Sequence, residues 1–507
     1  MQSLSVDPSS LSASNLSYSL EDWQKGYESL RDEYTYWIDD IEGAIPADLE
    51  GTLFRNGPGL LDVNGQPIQH PFDGDGMVCA IAFKDGKAHF QNRYVRTEGY
   101  VAEQKAGRIL YRGVFGTEKA GGWLANAFDF KLKNIANTHV VYWGGKLLAL
   151  WEAAEPYCLN PQTLETLGIE RFDGQLQHGE AFAAHPRFDP SCAADGGAPR
   201  MVNFSIKPGL STTITVFELN QAGEIVERHA HSVPGFAFIH DFAITPNYCI
   251  FLQNPIAFNP LPMALGLRSA AECLSVDHRQ PTKLLVIPRH SNGSVQSFTT
   301  QAGFVFHHVN AFEQDGQIVL DSVCYADFPR VRSDEDFREV KFARIPPGQL
   351  WRFCMNLEKG TVERQQLDQR GCEFPVVHPG LVGRPYRYFY IGATHAPEGN
   401  APLQAIMKVD LESGDRQLWS AAPRGFIGEP IFVPRSPHNS EAPEDEGWVL
   451  SLCFNAEKEC SELVILDAQD FGKGAIARLR LKHHVPYGLH GMFTPEYFGS
   501  HPNLQQS

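Results

Sequence analysis

Short turns bracketed by apolar, strand-like runs recur along this chain, and they constrain its fold more than any other feature. Phe83-Lys-Asp-Gly-Lys-Ala-His-Phe90, Tyr142-Trp-Gly-Gly-Lys-Leu-Leu-Ala-Leu-Trp151, Glu313-Gln-Asp-Gly-Gln-Ile-Val-Leu320 and Asp410-Leu-Glu-Ser-Gly-Asp-Arg-Gln-Leu418 all read as hairpins. In each, Asp-Gly or another glycine-containing loop supplies the positive φ that a tight turn between strands needs. Few segments carry a 3.6-residue apolar period; Leu20 to Asp39 and Pro262 to Cys273 are the better helical candidates. The 507 residues include 45 glycines, 34 prolines and 33 phenylalanines, turn formers mixed with large apolar side chains. A chain this long, made of hairpins without a linker, is expected to be all-β and closed on itself. Closure removes exposed strand edges, and at this size a propeller achieves it better than one barrel. The hydrophilic stretch Ser436 to Glu446 is expected to be a surface loop.

Charge and cysteine usage exclude several classes of function. Asp and Glu number 60 against 43 Lys and Arg, a net charge of −17, and no basic run stands out, so nucleic acid is excluded as a partner. The ten cysteines form no CxxC pair, which argues against zinc ribbons and thioredoxin chemistry. The first twenty residues hold eight serines and no Lys or Arg, unlike a signal or transit peptide. Residues 1–16 are therefore expected to be disordered and the cysteines reduced, in a cytoplasmic protein. No apolar run approaches the ~18 residues needed to cross a bilayer.

Compact catalytic motifs are absent: there is no HExxH, P-loop, GxGxxG after a strand or Gly-x-Ser-x-Gly elbow. His178-Gly-Glu180 has the spacing of two ligands of a facial triad, a spacing that also arises by chance. More informative are histidines in apolar settings: His185 in Ala183-Ala-His-Pro, His240 in Phe236-Ala-Phe-Ile-His-Asp-Phe, the pair His307-His308 after Phe304-Val-Phe, and His490 in Pro486-Tyr-Gly-Leu-His-Gly. Any one of them reads equally as a satisfied core residue. Together they suit a radial fold in which separate blades send side chains to one axis, where neutral imidazoles could hold iron, zinc or copper. Glu152, Glu373 and Glu429 lie in similarly apolar runs. Each could cap a turn or pair with an arginine, or accept the second N–H of a ligating histidine.

With these segments in place, the chain resembles the carotenoid cleavage oxygenases from about Ser19 to Phe493. The resemblance begins at Ile45-Pro-Ala-Asp-Leu-Glu-Gly-Thr-Leu-Phe-Arg-Asn-Gly-Pro-Gly59 and His70-Pro-Phe-Asp-Gly-Asp-Gly-Met77 and runs through every histidine and glutamate segment above. It implies an all-β, seven-bladed β-propeller over residues 17–497, with a cap of loops and short helices above the iron-bearing face and a C-terminal tail at 498–507. It implies one Fe(II) per chain held by His185, His240, His307 and His490. His307 is chosen over His308 because Asn310 and Ala311 set the family's His-x-x-Asn-Ala register; His483 and His484 match no ligand position. Glu152, Glu373 and Glu429 would hydrogen-bond three of these ligands, leaving His185 without a carboxylate, and Thr138 would crowd an open coordination site. Gly488 and Leu489 stand where relatives vary.

The reaction implied is cleavage of one conjugated C=C bond of an apocarotenal or apocarotenol, at 15,15′, by O2, giving retinal and a shorter aldehyde. No proton need be abstracted from an alkene, so the absence of an acid/base dyad is no objection. Stilbene cleavage, the retinyl-ester isomerisation of one animal branch and a non-catalytic binding platform are the alternatives. For so apolar a substrate, Trp123, Leu124, Phe128, Phe130, Leu261, Met263, Leu265 and Leu267, beside Lys131, Lys133 and Arg268, are expected to form a patch that meets a membrane peripherally. Ordinary core packing is the competing reading of those residues. No protein partner is evident.

Overall fold

A computed structural model describes residues 17–500 except 210, 292, 330–335, 438 and 440. The expected disordered start at 1–16 and the tail beyond 500 lie outside these residues. Seven antiparallel sheets, each of at least four strands, form the blades of a β-propeller, with two further two-stranded ribbons between them. Blade 1 runs, from inside to outside, through Gly491–Thr494, Gly51–Leu60, Asp75–Lys84, Lys87–Tyr94 and Thr35–Trp37. The innermost strands of blades 2 to 6 are His139–Trp143, Arg187–Cys192, Phe242–Ile244, Phe304–Gln314 and Cys372–Val377. In blade 7, Gly425–Ile427 and Ile431–Pro434 both pair with Gly447–Asn455, and Asp40–Gly43 adds an outer strand beside Ala475–Arg480. The ring is thus closed twice: a late strand becomes the inner edge of blade 1, and an early strand becomes the outer edge of blade 7.

All four hairpins form where the turn chemistry places them. Lys84 pairs with Lys87 across Asp85 and Gly86, Trp143 with Lys146 across Gly144 and Gly145, and Gln314 with Gln317 across Asp315 and Gly316, every central residue at positive φ. The fourth is a longer loop, in which Gly414 alone takes the left-handed conformation between Val409 and Arg416. Apolar faces of adjacent blades then pack together, as where Phe204 of blade 3 meets Phe242 and Phe251 of blade 4.

The helical expectations shorten. The helix at Leu20 spans only Leu20–Lys25, because Gly26 packs directly under Tyr487 and the aromatic residues beyond it join the sheet surface: Thr35–Trp37 is a strand. Between Pro262 and Cys273 there is no continuous helix; Pro260–Ala264 is one short helix and Ala271–Cys273 a single 3₁₀ turn, separated by Gly266 at positive φ. Helices at Glu98–Ala106 and Gly122–Asn126 occupy the long connection between blades 1 and 2. The packed chain also runs past 497: Phe498 is buried against Phe54 and Tyr142, so that residue is core and not tail.

Candidate metal centre

The inner strands explain how distant residues meet. His490 stands one residue before the innermost strand of blade 1, and His185 and His240 two residues before those of blades 3 and 4. His307 lies within the inner strand of blade 5, whose register shifts on both sides of His308. Such a bulge re-aims side chains, and here it separates neighbours: His307 joins the other three histidines, while His308 Nδ1 lies 2.7 Å from Ser322 Oγ. The remaining blades bring the carboxylates. Glu152 follows Lys146–Leu150 of blade 2, Glu373 lies in Cys372–Val377 of blade 6, and Glu429 links the two inner segments of blade 7.

One potential ligand atom from each of His185, His240, His307 and His490 lies within 4.8 Å of the others, and Nε2 of His185 and His240 are 2.9 Å apart. Two nitrogens on opposite sides of one cation, ~2.1 Å from each, would be ~4.2 Å apart, so this spread suits a single ion. Nε2 of His307 is buried without a hydrogen-bond partner among the described residues, which a native fold seldom tolerates without an occupant. The outer nitrogens are engaged. His240 Nδ1 is 2.7 Å from Glu152 Oε2, His490 Nδ1 is 2.8 Å from Glu429 Oε1, and His307 Nδ1 bonds Glu373. Donation of each Nδ1–H to a carboxylate points the Nε2 lone pair inward. His185 has no carboxylate bonded to it among the described residues.

Burial and the neighbouring imidazoles hold His185 far below the ordinary histidine range, and burial takes His490 to about 3 against the opposing pull of Glu429. Both are therefore neutral at physiological pH, the form that binds metal. Burial also depresses His307, but Glu373 more than reverses this, so His307 is raised. Desolvation pushes Glu429 up, but its interactions with His490 and with the guanidinium of Arg55 more than offset this and bring it to about 2.

Other expected residues fall into place or away. Thr138 lines the same cavity as the histidines and its carbonyl accepts the N–H of His490 at 3.1 Å. His178 is exposed and bonds Arg171 while Glu180 bonds Arg228, so His-Gly-Glu is a surface turn and not a ligand pair. A second group, Cys192, Glu218 and His290, also has metal-like spacing among the described residues, but Arg200 and Arg289 already occupy Glu218, and their charges oppose a cation there. Sequence reasoning missed Tyr325, whose hydroxyl donates to Glu373 Oε1 at 2.7 Å. It also missed Phe374, held at φ +59° with its N–H on Glu373 Oε2, and Arg55, which pairs with Glu429. Phe374 and Arg55 stood within segments already singled out; hidden were Arg55's partner, far off in sequence, and the left-handed backbone that turns the Phe374 N–H onto its neighbour Glu373.

The centre opens into a cavity of about 180 Å³ walled by aromatic side chains, among them Phe72, Phe115, Phe238, Phe306 and Phe374. His240, His307 and His490 lie in its wall with Glu152. The segment leading to Phe115 also ties down the expected apolar patch. Arg112 donates to the carbonyls of Asn126 and Met263, both at 3.0 Å, and of Arg268 at 2.8 Å, joining the 122–130 and 260–268 segments. Trp123, Leu124, Phe128, Phe130, Leu261 and Leu267 are exposed by 53–71%. Met263 and Leu265 are half-buried beneath them, and Lys133 is buried between Asp75 and Glu103, so these three are packing residues and not part of the exposed face.

Comparison with known proteins places the chain. The family model described as retinal pigment epithelial membrane protein matches residues 27–495. Apocarotenoid-15,15′-oxygenase of Synechocystis sp. is 55% identical over 490 residues, covering 96% of this chain and 99% of that protein. Carotenoid cleavage oxygenase 1 of Neurospora crassa is 32% identical, covering 89% of this chain and 86% of that one. Lignostilbene-α,β-dioxygenase isozyme III of Sphingomonas paucimobilis is 31% identical, covering 89% and 92%. The crystal structure of cobalt-substituted Synechocystis ACO superposes with a TM-score of 0.92 at 55% identity, over 94% of this chain and 99% of that one.

Proposed function

The chain belongs to the retinal pigment epithelial membrane protein family, the carotenoid oxygenases, and from that premise we propose that it is an iron(II) dioxygenase cleaving the 15,15′ double bond of apocarotenals or apocarotenols to retinal and a shorter aldehyde. The observation that carries this reading is the convergence of four imidazoles, three of them backed by carboxylates, at the wall of an aromatic cavity. His185, His240, His307 and His490 would hold the iron, and Glu152, Glu373 and Glu429 would orient three of the rings. Four neutral imidazoles and flanking carboxylates suit a divalent first-row ion. Iron bound there supplies the activation of dioxygen. The rest is the work of the chain: the phenylalanines bind and align a rigid conjugated polyene by its faces, exclude water, and hold one bond beside the histidines. Thr138 narrows the approach on the side of His490.

The iron-loaded protein incubated with an apocarotenal in air is expected to yield retinal, identified by chromatography. Absence of retinal, or cleavage of a stilbene in place of the apocarotenal, would overturn the substrate assignment.

Access follows from the patch. No helix among the described residues is long and apolar enough to cross a membrane, yet the exposed face formed by 122–130 and 260–268 is joined through Arg112 to the cavity wall at Phe115. We take this face to rest on a lipid surface and admit the substrate, with Lys131 and Arg268 at its border. The double substitution Leu124→Asp and Leu261→Asp should cut co-sedimentation with anionic liposomes by at least ~10-fold, since each buried apolar side chain contributes ~2 kcal/mol. Sedimentation equal to that of the unaltered protein would refute it.

A further inference from the structure

Arg-Asn-Gly in the Phe54-Arg-Asn-Gly-Pro58 segment lies on the second strand of blade 1, immediately beside the strand that His490 precedes. Arg55 is buried, 5% exposed, and uses two arms: Nη1 pairs with Glu429 Oε2, and Nη2 donates to the carbonyl of Leu489 at 2.8 Å. Asn56 completes the grip on the same backbone. Its N–H donates to the carbonyl of His490 at 2.9 Å, its carbonyl accepts the N–H of Leu489 at 2.8 Å, and its side chain reaches the carbonyls of Ala136 and His139 on either side of Thr138.

The three carboxylates around the histidines are not equivalent. Glu373 is satisfied by neutral donors, the hydroxyl of Tyr325 and the N–H of Phe374, besides His307. Glu152 is bonded to His240 and is the most exposed of the three, at 25%. Glu429 alone faces a guanidinium. The nearby Asp241 is paired with its own Arg187 and adds no net charge. Three carboxylates around four neutral imidazoles would balance a trivalent ion; with one guanidinium among them, the balanced occupant is divalent. In a buried site such a mismatch of one charge is costly.

We propose that Arg55 sets the charge of the centre: by holding one positive charge on the carboxylate that orients His490, it fits the histidine cluster to a ferrous ion and against a ferric one. Arg55 acts through Glu429 and is a positioning residue, and the inference rests on the iron reading of the site given above.

The test is a potentiometric titration, with redox mediators, of the iron-loaded full-length protein and four variants, with iron content measured in parallel. Arg55→Gln is expected to raise the ferric-to-ferrous ratio at a fixed potential at least ~10-fold, a shift of ~59 mV for one electron. Arg55→Lys keeps the charge but not the two-armed grip, so its ratio should stay within ~3-fold of the parent while iron content falls. Glu429→Gln should move the ratio the opposite way, and the Arg55→Gln/Glu429→Gln double variant should return it toward the parent. If Arg55 were merely structural, iron would be lost from both Arg55 variants while the ratio for the iron retained stayed put; that result, or equal shifts in the Gln and Lys variants, overturns the proposal. Should Arg55→Gln alone not fold, the comparison of Glu429→Gln with the double variant decides it: loss of Arg55 in that background must raise the ferric-to-ferrous ratio, and equal ratios in the two overturn the idea. A parent protein that takes up no iron at the histidines would instead defeat the metal reading itself.

Discussion

His240→Ala and His490→Ala should each leave the protein with less than a tenth of the parent's iron after desalting, and with no measurable oxygenase activity, while His308→Asn keeps both. Removal of an outer hydrogen-bond partner of a metal ligand costs ~10- to 100-fold in affinity, and loss of the ligand itself must cost more. The contrast with His308 makes the experiment specific. His308 is fully buried beside His307, so a general effect of losing a buried imidazole would appear there too. Yet its ring is turned to Ser322, and burial lowers it to about 4, so it stands as a neutral packing residue. Glu152→Gln, which keeps the shape and loses the charge behind His240, should fall between the two. Iron content is read by atomic absorption. Full occupancy in the His240 or His490 variant would remove those residues from the ligand set.

The second large effect is on folding. Gly491→Ala should lower the urea midpoint sharply or abolish soluble expression, because a Cβ at Gly491 would lie 2.0 Å from the carbonyl oxygen of Phe54. Gly57→Ala meets the Cα of Gly488 at 2.5 Å. Neither glycine is required for its φ; both are required for space, where the closing strand passes the second strand of blade 1. Overpacking against backbone, which cannot swing aside as a side chain can, costs ~3 kcal/mol or more. A control at Gly86, whose position is open to solvent at positive φ, should cost only the ~1 kcal/mol typical of a left-handed glycine. Equal midpoints for the Gly491 and Gly86 variants would show that the closing strand has slack that its packing denies.

What could be read from the sequence follows the range of the interactions. Hairpins were legible because a turn is settled within four residues, and Asp85-Gly86 or Gly144-Gly145 states its own backbone angles. The histidines were legible as a set, since the apolar runs around His185, His240, His307 and His490 suited a radial fold that sends side chains to one axis, but the choice of His307 over its neighbour came from the resemblance and not from spacing. The helix at Leu20 was read too long because its aromatic spacing is helical whether or not the side chains face one way; in the fold, Trp23, Tyr27 and Tyr487 pack together and the chain turns out of the helix at Gly26. The helix at Glu98–Ala106 was missed because it carries no clear apolar stripe, only Thr97 at its start and Gly107 at its end. Arg55 was in plain view in the Phe-Arg-Asn-Gly-Pro segment, but its partner Glu429 is 374 residues away, and no local pattern reports such a pair.

The double closure of the ring sets an order of events during synthesis. Five of the seven groups gathered at the axis belong to blades completed in sequence, but His490 arrives only with the strand that returns to blade 1, after every other blade has been made. A growing chain can therefore complete and pack blade after blade while its fourth imidazole does not yet exist. A metal held by these four imidazoles would therefore not template the fold as zinc templates a finger; it would have to enter a nearly finished ring.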